Sequence, residues 1–406
     1  MRKPEIVAPA GSPEKLEYAV AYGADAVYLG GTSFGLRTAA ASFDREALSR
    51  AVDFAHRRGA KVYVTVNIFA RNRDLEALPG YIDFLSRLGV DAVIVSDPGV
   101  LALVRETAPE LRVHISTQAN TTNWRSARTW QSLGASRIVA ARELSLEEIA
   151  TISKRTGVEL EVFVHGAMCI SYSGRCLLSN YMTGRDANQG DCAQSCRWKY
   201  RLVEEKRPGE FFPVHEDNQG TYIMSSRDLC LLGYLPGLIE AGVTALKIEG
   251  RVKSIHYVAT VTGVYRRAVD AYLADPERYA IQPEWLEEIG KVSNRDYTTG
   301  FINGAPCGTA SPVDSISRHD YTFAGAVLSY DPDRKLLRVE QRNRFAVGQT
   351  LEILAPGMDT YQLRVETILD EEGCPVEAAP HPRQIIYLPW PKPMPAYSLL
   401  RRAESQ

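Results

Sequence analysis

The sequence predicts an α/β fold, a (β/α)8 barrel of the TIM type followed by a small antiparallel β-barrel domain. Three observations predict it. Short β-rich runs alternate with helical patterns, a phrase in which a helix closes on glycine and a strand follows recurs along the chain, and beyond about residue 285 the helical patterns give way to short alternating runs.

The β-rich runs are "EIVAPAG" (5–11), "DAVYLGG" (25–31), "KVYVTVNIF" (61–69), "DAVIVSDPG" (91–99), "RVHISTQAN" (112–120), "SRIVAAREL" (136–144) and "ELEVFVHGA" (159–167). Between them lie segments such as "SPEKLEYAVAYG" and "SLEEIATISKRTG", with apolar residues at helical spacing, acids early and glycine at the end. Strands that alternate with helices must run parallel. The repeated phrase starts at Gly23, Gly89, Gly134 and Gly242. Its uneven spacing marks repeated βα units and no solenoid. An eighth run, "ALKIEG" (245–250), comes late, so the cysteine-rich stretch is an insertion after strand seven, and the helical segment 255–275 closes the ring. An open doubly wound sheet is the alternative, but the first βα turn has no GxGxxG.

The expected division is 1–285 for the barrel with its insertion, 286–321 for a Gly/Ser/Asn/Pro-rich linker and 322–406 for the small β-barrel. A length of 406 residues suits one large domain with one small one. Apolar content of 45%, charged content of 24% and net charge of −2 describe an ordinary globular protein and exclude a uniformly basic nucleic-acid clamp. No window reads as a membrane-spanning helix, and Pro4 and Pro9 break the N-terminal apolar run. A cytoplasmic protein is expected.

Four of seven cysteines fall in "HGAMCISYSGRCLLSNYMTGRDANQGDCAQSCRWKY" (165–200), at Cys169, Cys176, Cys192 and Cys196, with Cys230 following. An odd total with four clustered argues against a disulfide framework. The spacing C-x6-C-x15-C-x3-C leaves three readings open. Small core side chains fit poorly with Gly-rich flanks. A structural zinc site fits only the last pair. An iron–sulfur cluster accepts widely separated ligands, and Arg175, Arg185, Arg197 and Lys199 are cations able to offset its charge.

The segment "EVFVHGAMCISYSGRCLLS" resembles the signature of the peptidase U-thirty-two family, once described as collagenase-like proteases. "APAGSPEKLEYAVAYGADAVYLGG", "DANQGDCAQSCRW", "SSRDLC" and "LKIEGRVKS" are similar to the same family, so the resemblance spans most of residues 5–270. It implies an oxygen-independent hydroxylation factor with a [4Fe–4S] cluster. The ligands it implies are Cys169, Cys176, Cys192 and Cys230, with Cys196 a fifth thiol able to substitute. The branch most resembled acts in tRNA hydroxylation, which implies 5-hydroxyuridine formation at the wobble position with prephenate as co-substrate. Other branches imply hydroxylation of rRNA cytidine or of a quinone ring.

Barrel chemistry gathers at the C-terminal ends of the strands, which here carry Asn67, Asp97, Gln118, Arg142, Glu143, His165, Lys247, Glu249 and Arg251. His165, four residues before Cys169, is a candidate proton shuttle or partner of a cluster sulfur, with a structural histidine as the plainer reading. Lys247, Glu249 and Arg251 alternate and therefore face one side. Lys247 and Arg251 suit a small dicarboxylate, with Glu249 as partner or base; a structural salt-bridge ring is the alternative. Gln118, Asn67 and Arg142 supply donors for a flipped uridine, and Tyr172, Tyr181 and Trp198 supply stacking surfaces. The stretch "RWKYRL" (197–202) alternates cations with aromatics, as an RNA-contacting ribbon or an ordinary hairpin does.

Two other classes compete. Cys169 with His165 makes a Cys/His peptidase pair, but the chain has no HExxH or GxSxG, and a nucleophile does not explain four companion thiols. A cluster-bearing scaffold that passes electrons or oxygen to a protein partner is the other.

Overall fold

The computed structural model describes residues 3–36, 43–169, 171–197, 215–217, 220–222, 227–304 and 320–404. Eight parallel strands form a closed barrel: β1 (Glu5–Pro9), β2 (Ala26–Gly30), β3 (Lys61–Val66), β4 (Ala92–Val95), β5 (Val113–Ile115), β6 (Arg137–Val139), β7 (Glu159–Ala167) and an eighth, Ala245–Ile248. The eighth strand pairs with β7 on one side and β1 on the other, which closes the ring. The predicted (β/α)8 barrel is what forms.

Local chemistry explains the outer helices. Ser12 caps Pro13–Ala21 by accepting from the Lys15 N–H, with proline in the first turn, where a missing N–H costs nothing. Ser145 and Glu148 form a capping box on Leu146–Thr156, which ends at Gly157 with φ 66°. The helices bury one face against the strands, where Leu246 and Ile138 are fully enclosed. Each such side chain contributes about 1.5–3 kcal/mol.

The barrel interior combines apolar and charged layers. Val7, Tyr28, Tyr63, Ala92 and Ile94 fill part of it. Beside them Arg137 bridges Glu161 at 3.1 Å, Glu159 at 2.9 Å and Glu5 at 2.8 Å, and Lys247 bonds the other oxygen of Glu161 at 2.7 Å. Burying these charges is tolerable because each faces a hydrogen-bonded opposite charge.

One irregularity decides which residues reach the site. Lys247 pairs with Phe163, but Ile248 pairs with His165, so β7 carries one extra residue there. Such a bulge re-aims every following side chain. A short strand, Asp228–Cys230, adds antiparallel to the end of β7 and places Cys230 opposite His165.

Within 286–321, the described residues carry the end of the helix Pro283–Gly290 and the strand Tyr297–Thr298, which pairs with Asp228–Leu229. Beyond it an eight-stranded antiparallel sheet curls into a half-barrel over its own apolar core of Leu337, Val339, Phe345, Leu351 and Ile353. The strand Leu399–Ala403, which the sequence patterning did not flag, lies between Thr350–Leu354 and Tyr321–Asp331. Tyr22 donates to the Leu354 carbonyl at 2.9 Å, and Arg401 holds Glu288 at 2.7 Å, joining this sheet to the barrel. Among the described residues, no helix is long and apolar enough to cross a membrane.

Candidate active site

A cavity of about 160 Å³ opens at the C-terminal end of the barrel strands, under the inserted segment. Its walls come from opposite directions. The strands supply Asn67, Gln118, Arg142, Lys247, Glu249 and Arg251, and the insertion supplies Cys169, Cys176, Cys192 and Cys196.

The insertion is stapled across the barrel mouth. Glu143, just past β6, accepts from both the N–H and the hydroxyl of Ser173 at 2.6 Å each. Ser173 is buried and sits at φ 44°, a left-handed conformation that a residue with a side chain holds only when its surroundings impose it. Arg175 donates to the Gln118 carbonyl at 2.7 Å, and the Phe69 N–H donates to the Asn188 carbonyl at 3.0 Å. Asn188 in turn grips Cys176, donating to its carbonyl at 2.9 Å and accepting from its N–H at 3.3 Å. Ser173, Asn188 and Phe69 carried no sequence signal, because each acts through a contact distant in the chain.

The thiols differ in setting. Cys176 is buried, Cys196 half-buried, and Cys169 and Cys192 are exposed. The Ser171 N–H donates to the Cys169 sulfur and the Gln194 N–H to the Cys192 sulfur, each at 3.4 Å. Four thiols on one wall, two with such donors, have the donor chemistry of a thiolate-ligated iron–sulfur group. Among the described residues, no three His, Cys, Asp or Glu side chains converge into an ion-binding group.

Cys230 and His165 stand elsewhere. After the bulge, His165 points to the layer between barrel and helices, boxed by the rings of Tyr257, Tyr265 and Tyr297 at 6.0, 5.7 and 5.2 Å. Neither ring nitrogen has a hydrogen-bond partner in the protein, and burial pulls its pKa down to about 3, so the imidazole is neutral. Cys230, its cross-strand partner, is hydrogen-bonded with Tyr265, and burial pushes its thiol pKa up. Neither side chain lines the cavity. His165 and Cys230, both expected at the site, stand outside this cavity, whereas Cys196, the fifth thiol, lines it.

The charged wall is organised. Arg142 donates to Glu249 at 2.9 Å and to the Ala167 carbonyl at 2.8 Å, lies 3.9 Å over the Phe163 ring, and keeps a buried Nε with no partner in the protein. Lys247 sits 4.3 Å from the Tyr28 ring centre, and burial lowers its pKa against the opposing pull of Glu161. Arg251 reaches Thr65 at 3.4 Å and the Leu36 carbonyl. The expectation that Lys247, Glu249 and Arg251 share one face matches their common place on the cavity wall. The Asn67 amide donates to Ser116 at 3.3 Å and Gln118 at 3.2 Å, linking β3 to β5. Asp97 instead caps the helix Pro98–Thr107. Trp198 and Lys199, and the ribbon beyond Arg197, lie outside the described residues.

The profile described as "Peptidase family U32" matches residues 11–311, and that of its C-terminal domain matches 319–401. The chain is 44% identical over 405 residues to tRNA hydroxylation protein P1 of Bacillus subtilis, covering 99% of this chain and 96% of the relative. It is 36% identical over 450 aligned positions to tRNA hydroxylation protein P of Escherichia coli, covering 99% and 97%. A 23S rRNA 5-hydroxycytidine synthase of Escherichia coli is 38% identical over 305 residues, which is 74% of this chain and 45% of that protein. With both profiles in chain order and full-length relatives at this identity, the chain belongs to peptidase family U32.

Proposed function

We propose that this protein is an RNA hydroxylase that converts a tRNA wobble uridine to 5-hydroxyuridine, with a [4Fe–4S] cluster on the thiol wall and prephenate, a small dicarboxylate, on the charged wall. The observation that carries the reading is the meeting of four thiols, three cations and three amides around one cavity. Full-length similarity to proteins named for tRNA hydroxylation supports it.

Cys169, Cys176, Cys192 and Cys196 would hold the cluster, which supplies one-electron chemistry when bound. Lys247 and Arg251 bind the carboxylates of the co-substrate, and Arg142 stands on the same cavity wall. The Asn67 amide, spent on Ser116 and Gln118, holds the Gln118 amide, whose N–H groups suit an acceptor on the edge of uracil. Glu249, fixed by Arg142, is the carboxylate on the cavity wall and is the proton acceptor available to a bound ring.

The peptidase reading loses its base. Among the described residues lining the cavity there is no histidine, and His165 is enclosed by tyrosines. Nucleoside mass spectrometry on RNA from a strain lacking the protein tests the proposal. Loss of 5-hydroxyuridine derivatives from tRNA is expected; loss of 5-hydroxycytidine from rRNA, or intact RNA with a quinone defect, overturns the tRNA assignment.

A further inference from the structure

The inserted segment has a second face. Its inner side supplies Cys176 and Ser179 to the cavity, and its outer side presents large apolar side chains to solvent. Tyr181 is 87% exposed, Leu177 78%, Tyr172 51% and Met182 41%. These are four of the ten large hydrophobic side chains exposed among the described residues, and they fall within residues 172–182, while the other six are scattered. A concentrated apolar patch on an otherwise polar surface marks an interaction site.

The patch is held in place. The Tyr181 N–H donates to the Leu177 carbonyl at 2.9 Å, so the two side chains are one helical turn apart on one face. Beneath them the Ser179 hydroxyl donates to the Arg185 carbonyl at 2.8 Å and accepts from the Ala193 N–H at 2.9 Å. Two cations lie beside it: Arg71, paired with Asp186 at 3.2 Å, and Arg185, paired with Asp191 at 2.7 Å, keep side chains 60% and 48% exposed.

We propose that Tyr181, with Leu177, Tyr172 and Met182, is a stacking ledge for the nucleotides on either side of the one drawn into the cavity, with Arg71 and Arg185 meeting their phosphates. This rests on the RNA-hydroxylase reading and names how the RNA is held. A base pulled from a loop leaves its neighbours unstacked at the cavity mouth. Flat or apolar side chains beside cations replace that stacking without reading sequence. Continuity argues for RNA as the occupant, because the short helix Leu178–Thr183 carries Ser179 on the cavity wall and Tyr181 and Met182 on the ledge.

The test is fluorescence anisotropy of anaerobically purified full-length protein with a labelled anticodon stem-loop RNA, and with the same stem closed by a minimal loop. Tyr181→Ala is expected to weaken binding of the first RNA about ten-fold and Tyr181→Trp to preserve it. Neither change should alter melting temperature or iron content, because the side chain stands in solvent. Arg71→Ala is expected to weaken binding and to flatten its salt dependence. Wild-type protein that binds the stem-loop while Tyr181→Ala binds equally well overturns the ledge and leaves the RNA reading standing. Wild-type protein that binds neither RNA overturns both. Unchanged RNA binding with loss of a co-purifying protein in Tyr181→Ala reassigns the patch to a protein partner and overturns the ledge.

Discussion

The carboxylate of Glu143 receives both the N–H and the hydroxyl of Ser173 at 2.6 Å, and this one clamp fixes the turn Tyr172–Gly174 over the barrel mouth. It lets Ser173 keep φ 44°, which a residue with a side chain leaves when unsupported. Glu143→Ala removes both acceptors, each hydrogen bond to a charged group contributing about 1.5–3 kcal/mol. The expected result is faster alkylation of the buried Cys176 and lower iron content after anaerobic purification. Glu143→Gln, which retains one acceptor oxygen, should fall between. Alkylation at the wild-type rate in Glu143→Ala would refute the clamp.

Cys196 and Cys230 provide a sharper contrast. Cys196 lines the cavity, whereas Cys230 is held by Tyr265 in the outer layer. Cys196→Ser is expected to abolish the visible absorption and the acid-labile sulfide, as Cys169→Ser, Cys176→Ser and Cys192→Ser should. Cys230→Ser should keep both and lose only about 1 kcal/mol of stability, a serine hydroxyl being able to bond Tyr265. The reverse pattern of iron and sulfide would return the fourth ligand to Cys230.

Glu161 carries two buried cations, Lys247 at 2.7 Å and Arg137 at 3.1 Å. Glu161→Gln leaves Lys247 without its hydrogen-bonded counter-charge and Arg137 with Glu5 and Glu159 alone, and breaking a buried pair costs about 3–5 kcal/mol. A lower melting temperature is expected, with weaker dicarboxylate binding by titration calorimetry, since Lys247 then loses its proton more easily. Replacing Glu161 and Lys247 together by methionine should recover much of the stability but none of the binding. Stability and ligand affinity that recover together in the double variant would show that Lys247 has no anion-binding role.

The parallel barrel was legible because β1 to β7 and the eighth strand are bounded by helices with glycine stops and polar caps, all local signals. Gln118, Arg142, Lys247, Glu249 and Arg251 were legible as cavity residues because they sit at or just past the C-terminal ends of barrel strands, where the loops gather. His165 was not. The extra residue in β7 turns it outward, and a bulge has no composition of its own to read. Cys230 goes with it, because residues directly opposite across strands share a face. Asp97 looked like a site carboxylate and is a helix cap, a role that the following Pro98 and Gly99 already suggested. The last strand, Leu399–Ala403, was hidden because Arg401 and Arg402 break its apolar pattern, although Arg401 is fully buried against Glu288 and Glu352.

Three enclosed histidines set the acid limit of the fold. His165 and His256 have pKa values drawn down to about 3, and His114 lies well below its usual range, in each case chiefly by burial. Desolvation disfavours the imidazolium, while the unfolded chain protonates near 6.5. The folded pKa is therefore the lower one. The stabilisation is fully present above about pH 6.5 and is lost as pH falls from there toward 3, because the unfolded state binds protons that the native state refuses. At about pH 5.5, one unit below the unfolded value, each histidine has surrendered roughly 1.4 kcal/mol. Thermal melts across pH 7 to 5 should show melting temperature falling steadily, and His165→Gln should flatten the slope by the share of one proton. Among the tyrosines boxing the ring, Tyr265 donates to the Val164 carbonyl, and Asp228 is paired with Arg295 at 2.5 Å, which leaves no anion free to hold an imidazolium. An unchanged slope in His165→Gln would mean that His165 takes up its proton in the folded protein, and the tyrosine box would then have to open below pH 6.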